Sequence, residues 1–283
     1  MIPNSIKPRR LLRCSVLLIA VVLSGTSALG GPIHTNVAFS PHKGGNILRI
    51  QYVYSEAESS GNARHVSAST VRAAWIHGLT SNLALIVNVP FVHREVDRFA
   101  PRFGRFEEVH DGVADLTAML KYRFWQHDAG PMRTKRLAAL FGLNVRSGDS
   151  DFSSDSYDPI LGLVYSWRDG RKLFDAALRY QINTGGGRQG HDALRYDLAL
   201  SYRVHPAEYP ESTANLSEWS VVAELNGRYT TDGSHEIYLS PGVQYVTEQW
   251  VWEASIQIPV VQDISGTRPE TDYRAVIGLR YQW

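Results

Sequence analysis

The sequence predicts an all-β protein, a closed antiparallel transmembrane β-barrel of about twelve strands. Its last eleven residues give the clearest reason. Tyr273, Ala275, Ile277, Leu279, Tyr281 and Trp283 alternate with Arg274, Gly278, Arg280 and Gln282, and Val276 alone interrupts the polar face. A terminal strand with one apolar face and free backbone groups is an aggregation hazard in water, whereas a closed barrel pairs every backbone group. The second reason is repetition: segments of roughly 10 residues carry the same period of two along the chain, the length a tilted strand needs to cross a bilayer. The third is that no apolar run after the first thirty residues approaches the roughly 20 residues of a spanning helix.

The first thirty residues read as an export signal. Lys7, Arg9, Arg10 and Arg13 form a basic head, and Cys14 to Leu23 a short apolar core. Small residues around Ala28 to Gly30 then place cleavage after about Ala28 or Gly30. Cys14 is the single cysteine, so no disulfide forms within the chain. Four of the 29 basic residues lie in this leader, which leaves 25 against 28 acidic ones and a net charge of −3, excluding a nucleic-acid surface. Residues 31–283 contain no linker or composition break and are expected to form one barrel domain.

The expected strands run near residues 45–56, 66–79, 82–93, 113–124, 136–146, 159–167, 173–182, 193–204, 218–230, 235–246, 250–260 and 272–283. An even number puts both termini on the periplasmic side. Segments 57–65, 94–112, 147–158, 183–192, 231–234 and 261–271 are then extracellular. The longest, 94–112, interleaves Arg94, Arg98, Arg102 and Arg105 with Phe99, Phe103 and Phe106, so it could fold into the mouth as a constriction; a solvated loop is the plainer reading. Two turns on the other side, 125–135 and 205–217, are long for a barrel.

Charge parity decides which face is which, because a Lys or Arg facing lipid costs about 2–4 kcal/mol at the midplane. Asp115, Lys121 and Arg123 oppose Leu116, Leu120, Tyr122 and Phe124; Arg195, Asp197 and Arg203 oppose Leu194, Tyr196, Leu198, Leu200 and Tyr202. Most charges keep one parity, and the second strand fits least well, because His77 falls on the face of Val71 and Trp75. Twelve strands spaced about 4.8 Å and tilted near 40° give a radius of about 12 Å, too wide to fill with Leu, Val and Ala, so the apolar face must point outward. The inward face is then expected to line a pore. It carries Arg49, Arg72, Lys121, Arg123, Arg136, Arg146, Arg179, Arg195, Arg203, Arg228, Arg274 and Arg280 against Asp115, Asp175, Asp197, Glu224, Glu236 and Glu253. Cations outnumber anions two to one on that face, which favours anionic solutes in a wet pore. Pairing of Arg with acid across the lumen would instead plug it.

Two segments carry a family resemblance: His110-Asp111-Gly112-Val113-Ala114-Asp115-Leu116-Thr117 leading into Leu120-Lys121-Tyr122-Arg123-Phe124, and Phe141-Gly142-Leu143-Asn144-Val145-Arg146-Ser147-Gly148-Asp149 leading to Asp158-Pro159. They resemble the outer-membrane barrel family named for the MetA pathway of phenol degradation, whose members are often labelled transporters. Ala114 stands where the family's Gly-x-Gly-Asp has its second glycine, and Arg146-Ser147-Gly148-Asp149 replaces the usual Pro-Thr-Gly-Asp. The resemblance implies the barrel and no catalytic residues; phenol enters only through the family's name.

Three local patterns suggest chemistry and have plainer explanations. Gly185-Gly186-Gly187-Arg188-Gln189-Gly190 matches a dinucleotide-binding string, but it leads into a strand rather than a helix. Asp149, Asp151, Asp155 and Asp158 crowd one loop as calcium ligands would, without the EF-hand pattern. His65 and Ser67 share a strand face as in outer-membrane acyl hydrolases, without the residues that usually follow such a Ser. The expected function is therefore not enzymatic. It is an outer-membrane channel or facilitator for small, anionic or aromatic solutes, with a plugged structural or surface-interaction barrel as the alternative and a lipid hydrolase behind it. No cofactor or metal is implied. The expected partners are outer-membrane lipid, a small-molecule solute and the barrel-insertion machinery, met through the strand ending at Trp283.

Overall fold

A computed structural model describes residues 30–59, 64–100, 104–130, 132–185, 190–208, 217–266 and 268–283. The expected leader lies outside these residues. Among them are thirteen strand segments: β1 (Asn46–Ser59), β2 (Arg64–Gly78), β3 (Leu83–Ala100), β4 (Gly104–Val113), β5 (Leu116–Gly130), β6 (Arg133–Val145), β7 (Asp158–Asp169), β8 (Lys172–Gln181), β9 (Ala193–His205), β10 (Glu218–Thr230), β11 (His235–Val246), β12 (Trp250–Asp263) and β13 (Glu270–Gln282). All pairings are antiparallel, and β13 returns to pair with β1, which closes the ring. β3 pairs with β5 from Leu83 to Asn88 and with β4 from Phe91 onward. β4 and β5 are thus the upper and lower pieces of one wall strand, and the barrel has twelve staves, as the sequence predicts.

Closure satisfies the backbone, and the side chains then sort by parity. In β9, Leu200 is 61% exposed while its neighbour Ala199 is 1% exposed; in β13, Ile277 is 60% exposed and Val276 2%. The apolar residues face out and form the belt that lipid requires. At the rim where β1 begins and β13 ends, here called the terminal rim, outward rings run in unbroken contact from Trp283 through Tyr281, Trp250, Trp252 and Tyr245 to Trp219. Such a girdle suits the layer where lipid meets water. His77 belongs to this level: it stacks on Trp75 and meets the Asn46 side chain at 2.9 Å, one residue before β2 ends. Its breach of parity therefore falls where water is available.

Two expectations about loops change. Residues 94–100 and 104–112 do not fold into the mouth: β3 and β4 keep pairing beyond the far rim and form a hairpin that extends the wall upward, while Arg102 and Phe103 lie outside the described residues. Arg94 leans on the Phe152 ring, 4.8 Å from its centroid. Likewise 125–135 is no loose turn, because β5 and β6 remain paired from Trp125 to Gly130.

Asp115 sits in the break between β4 and β5. It accepts hydrogen bonds from the backbone of Ser147, Gly148 and Ser154 and from the hydroxyls of Ser153 and Ser154. Asp149 accepts from Val113 N at 2.8 Å, and Gly148 lies so close to the Ala114 and Asp115 backbone that a Cβ there would stand 2.9 Å away. The two segments that carry the family resemblance are therefore one joint at the far rim. Burial opposes the Asp115 charge, but the hydrogen bonds from Ser154, Gly148 and Ser153 outweigh it and hold the carboxyl down at about 2.

Candidate functional site

The inside of the barrel is not an empty pore. Residues 30–45 have no regular structure, and they enter the lumen from the terminal rim, turn near mid-height and return to β1. The wall holds this strap mainly by its backbone. Glu224 accepts from the backbone N–H of Ile33, His34 and Thr35 and from the Thr35 hydroxyl, at 2.6–3.1 Å. Gly31 N donates to Gln244 Oε1, and Ala38 N to Ser166 Oγ. Arg280 and Arg49 donate to the carbonyls of Pro32 and Ile33, and Lys121 Nζ to those of Val37 and Phe39. These peptide groups, taken out of water, thus gain charged or polar partners.

Apolar contacts fix the strap's depth. Ile33 is buried against Val53 and Val276, and Ala38 against Ala138, Leu140, Val164 and Ala177. Gly242 makes room for the first of these, since a Cβ there would stand 2.6 Å from Ile33 Cδ1. The Phe39 ring lies between the Arg136 and Arg168 guanidiniums, 4.2 and 3.9 Å from its centroid. Beside the strap a cavity of about 220 Å³ remains, lined by Phe39, His42, Asn46, Arg280 and Trp283 among others.

The eighteen residues expected on the inward face therefore divide. Arg49, Arg280 and Glu253 form a buried triplet in the terminal half: Arg49 donates to Glu253 Oε1 through Nε and Nη2 at 2.8 and 2.6 Å, and Arg280 to Oε2 at 3.1 and 2.8 Å. With Lys121 and Glu224 this triplet belongs to the strap's seat rather than to a free pore. Asp175 accepts from Ser166, which itself holds Ala38. Three of the others lie at the rims. Arg123 donates to Ser81 O at the terminal rim, Arg203 pairs with Glu218 at 3.8 Å there, and Arg146 pairs with Asp155 at 2.9 Å in the far-rim loop. Asp115 organises the joint.

The far half of the lumen holds Arg72, Arg179, Arg195, Arg228 and Arg274 with Asp197 and Glu236. Arg179 donates to Asp197 at 3.3 Å, Arg228 stands 3.9 Å from Glu236, and Arg274 binds the Tyr238 hydroxyl at 3.0 Å. Among the described residues, Arg72 and Arg195 make no hydrogen bond or ion pair, and both are exposed to solvent although they project into the barrel. This part of the lumen is wet and cationic.

The other local patterns resolve into structure. Asp149, Asp151, Asp155 and Asp158 separate onto Val113, His110, Arg146 and Ser156 respectively, and among the described residues no three His, Cys, Asp or Glu side chains converge as a metal site. His65 lies across from Glu58 and Asp97, and Ser67 across from Glu56 and Glu95, with no hydrogen bond between His65 and Ser67. Of the glycine-rich string, residues 186–189 lie outside the described residues, and β9 rather than a helix follows it.

A closed ring, a lipid-facing apolar belt with aromatic girdle and a hydrated cationic lumen define a transmembrane barrel of the outer-membrane class. Residues 44–273 match the family described as "Putative MetA-pathway of phenol degradation", and the chain belongs to that family. No curated protein sequence matches it. Among solved structures it is similar to an outer membrane channel from Pseudomonas putida F1, with 13% identity, a TM-score of 0.54, and 89% of this chain and 100% of that one covered. It is more distantly similar to the β-domain of the Bordetella autotransporter BrkA, at 13% identity, a TM-score of 0.46, and coverage of 85% and 100%. The monoaromatic hydrocarbon channel CymD follows at 9% identity, a TM-score of 0.42, and coverage of 86% and 88%.

Proposed function

We propose that the protein is a passive channel of the bacterial outer membrane for small anionic solutes, with its own N-terminal strap as the constriction. The observation that supports this best is the far half of the lumen, where Arg72 and Arg195 stay solvent-exposed and without a hydrogen bond or ion pair among the described residues, in a place where a purely structural barrel would pair or replace them. The far rim would face the outside of the cell and the strap the periplasm. No chemistry on the solute is proposed. The final strand, ending at Trp283, is proposed to meet the machinery that inserts barrels. The second reading, a plugged structural barrel, is favoured by one observation: the strap occupies the terminal half and is anchored there by buried Ile33 and by Glu224.

Planar-bilayer recording separates the two. The channel reading expects small single-channel steps with a reversal potential displaced toward the anion in a salt gradient. Silence at all voltages, persisting when the strap is removed, would establish the structural reading.

A further inference from the structure

The arginines of the far half are placed in register, which is costly and therefore informative. Arg179 of β8 lies directly across from Arg195 of β9, and Arg195 directly across from Arg228 of β10. Like charges directly opposite on neighbouring strands are destabilising. Nothing in the wall relieves the row fully. Asp197 is occupied by Arg179 and by Asn226 Nδ2 at 3.0 Å, Glu236 accepts from the Tyr238 hydroxyl at 2.7 Å, and the Nε of both Arg179 and Arg228 is buried without a hydrogen-bond acceptor.

Arg72 completes the arrangement from the opposite wall. In the closed ring β2 is six strands from β9 in either direction, so Arg72 and Arg195 stand on opposite walls, and Arg72 is among the charges that act on Arg195 across the lumen. The charged groups acting most strongly on Arg72 are Arg274, Arg49 and Arg179, all cations. Two acidic groups, Asp197 and Glu236, stand against five guanidiniums. The shortfall is three negative charges, and the donors left over lie on opposite sides of the passage.

We propose that this arginine ring is a binding site for a compact dianion, a dicarboxylate or a phosphate group, bridged between Arg72 and Arg195 in the far half of the lumen. The proposal deepens the channel reading and takes its physiological meaning from it, but binding itself needs no current. A bridged dianion neutralises both walls at once, so each solute must pass through a site that saturates, and the barrel would be a selective facilitator rather than a general pore.

The test is calorimetric titration of the folded full-length protein in detergent with succinate, inorganic phosphate and acetate at equal ionic strength. Succinate or phosphate is expected to bind one to one and at least about tenfold more tightly than acetate, as one additional charge-assisted contact allows. Stronger binding of succinate assigns the site to dicarboxylates, and stronger binding of phosphate assigns it to phosphate groups. Arg195→Gln and Arg72→Gln should each weaken that binding about tenfold or more, while Arg133→Gln, on the exposed β5–β6 hairpin, should leave it unchanged. Both substitutions remove repulsion, so the variants should keep the folded mobility of an unheated barrel on a gel; if one fails to fold, the other carries the same expectation from the opposite wall. Equal binding of all three anions, or full binding in the folded variants, overturns the proposal. A barrel that conducts without preferring dianions overturns the site alone, and one that binds them without conducting overturns the channel reading alone.

Discussion

In the half of the lumen nearest the chain ends, Arg49 and Arg280 close on Glu253 and on the strap's carbonyls; in the other half, Arg72 and Arg195 face water and other cations. The same side chain on the same inward parity thus does two jobs. Near the ends it replaces water around a buried backbone, and its energy goes into holding one conformation. In the far half it is left uncompensated, which contributes nothing to stability and leaves hydrogen-bonding capacity for a solute. Charge count alone does not distinguish them. What separates them is the irregular backbone of residues 30–45 in one half.

Removing that backbone is the strongest way to break the contrast. Deletion of residues 32–41 should leave the strand ring closed, since no strand pairing uses them, and raise single-channel conductance severalfold. The milder version is Glu224→Ala, which leaves three strap N–H groups without their acceptor. It should cost about 1–3 kcal/mol and make the strap cleavable by added protease, while the barrel stays resistant.

Charge reversal sharpens the contrast instead. Arg228→Glu should weaken the anion bias measured by reversal potential and shift the melting temperature little, because the repulsion it relieves across from Arg195 is replaced by repulsion from Glu236, directly opposite on β11. Arg280→Glu should do the opposite. It sets a carboxylate against buried Glu253, at a cost of about 3–5 kcal/mol, and acts through a lowered melting temperature and a loosened strap rather than through selectivity. If both variants change selectivity equally and stability not at all, the two halves are one pore and the distinction fails.

The smallest effect is expected at neither half. The Asp115 carboxyl is held at about 2 against an ordinary 3.8, so its contribution to the far-rim joint is whole above that ordinary value and is lost as pH falls toward 2. Protease cutting within residues 147–156 should therefore rise only in that acid window, and Asp115→Asn should abolish the pH dependence without altering conductance.

Much of the barrel is legible in sequence because a period of two is a direct image of a wall with lipid on one side. Ile277 and Leu200 needed only parity to be placed. The joint at Asp115 was half legible: its two segments were recognisable as signatures, but their contact joins residues more than thirty positions apart, which no local pattern encodes. The strap was not legible at all. It has no period, because its grip runs through peptide groups that every residue but proline supplies equally. Its traces were on the wall instead. Val276, the lone apolar residue on a polar face, is part of the seat of Ile33, and Val53 on the neighbouring strand is the other part.

That grip has a consequence for how such a protein can vary. Glu224, Lys121, Arg49 and Arg280 read N–H and C=O groups rather than side chains. Composition along residues 30–45 can therefore drift everywhere but at Ile33, Ala38 and Phe39, with proline barred at 31, 33–35 and 38 where an N–H is taken, whereas an added or lost residue slides every contact out of phase. Length is the fixed quantity, and chemistry is free between those anchors. The throat could accordingly be relined with another peptide of equal length, changing what the passage repels without touching a strand.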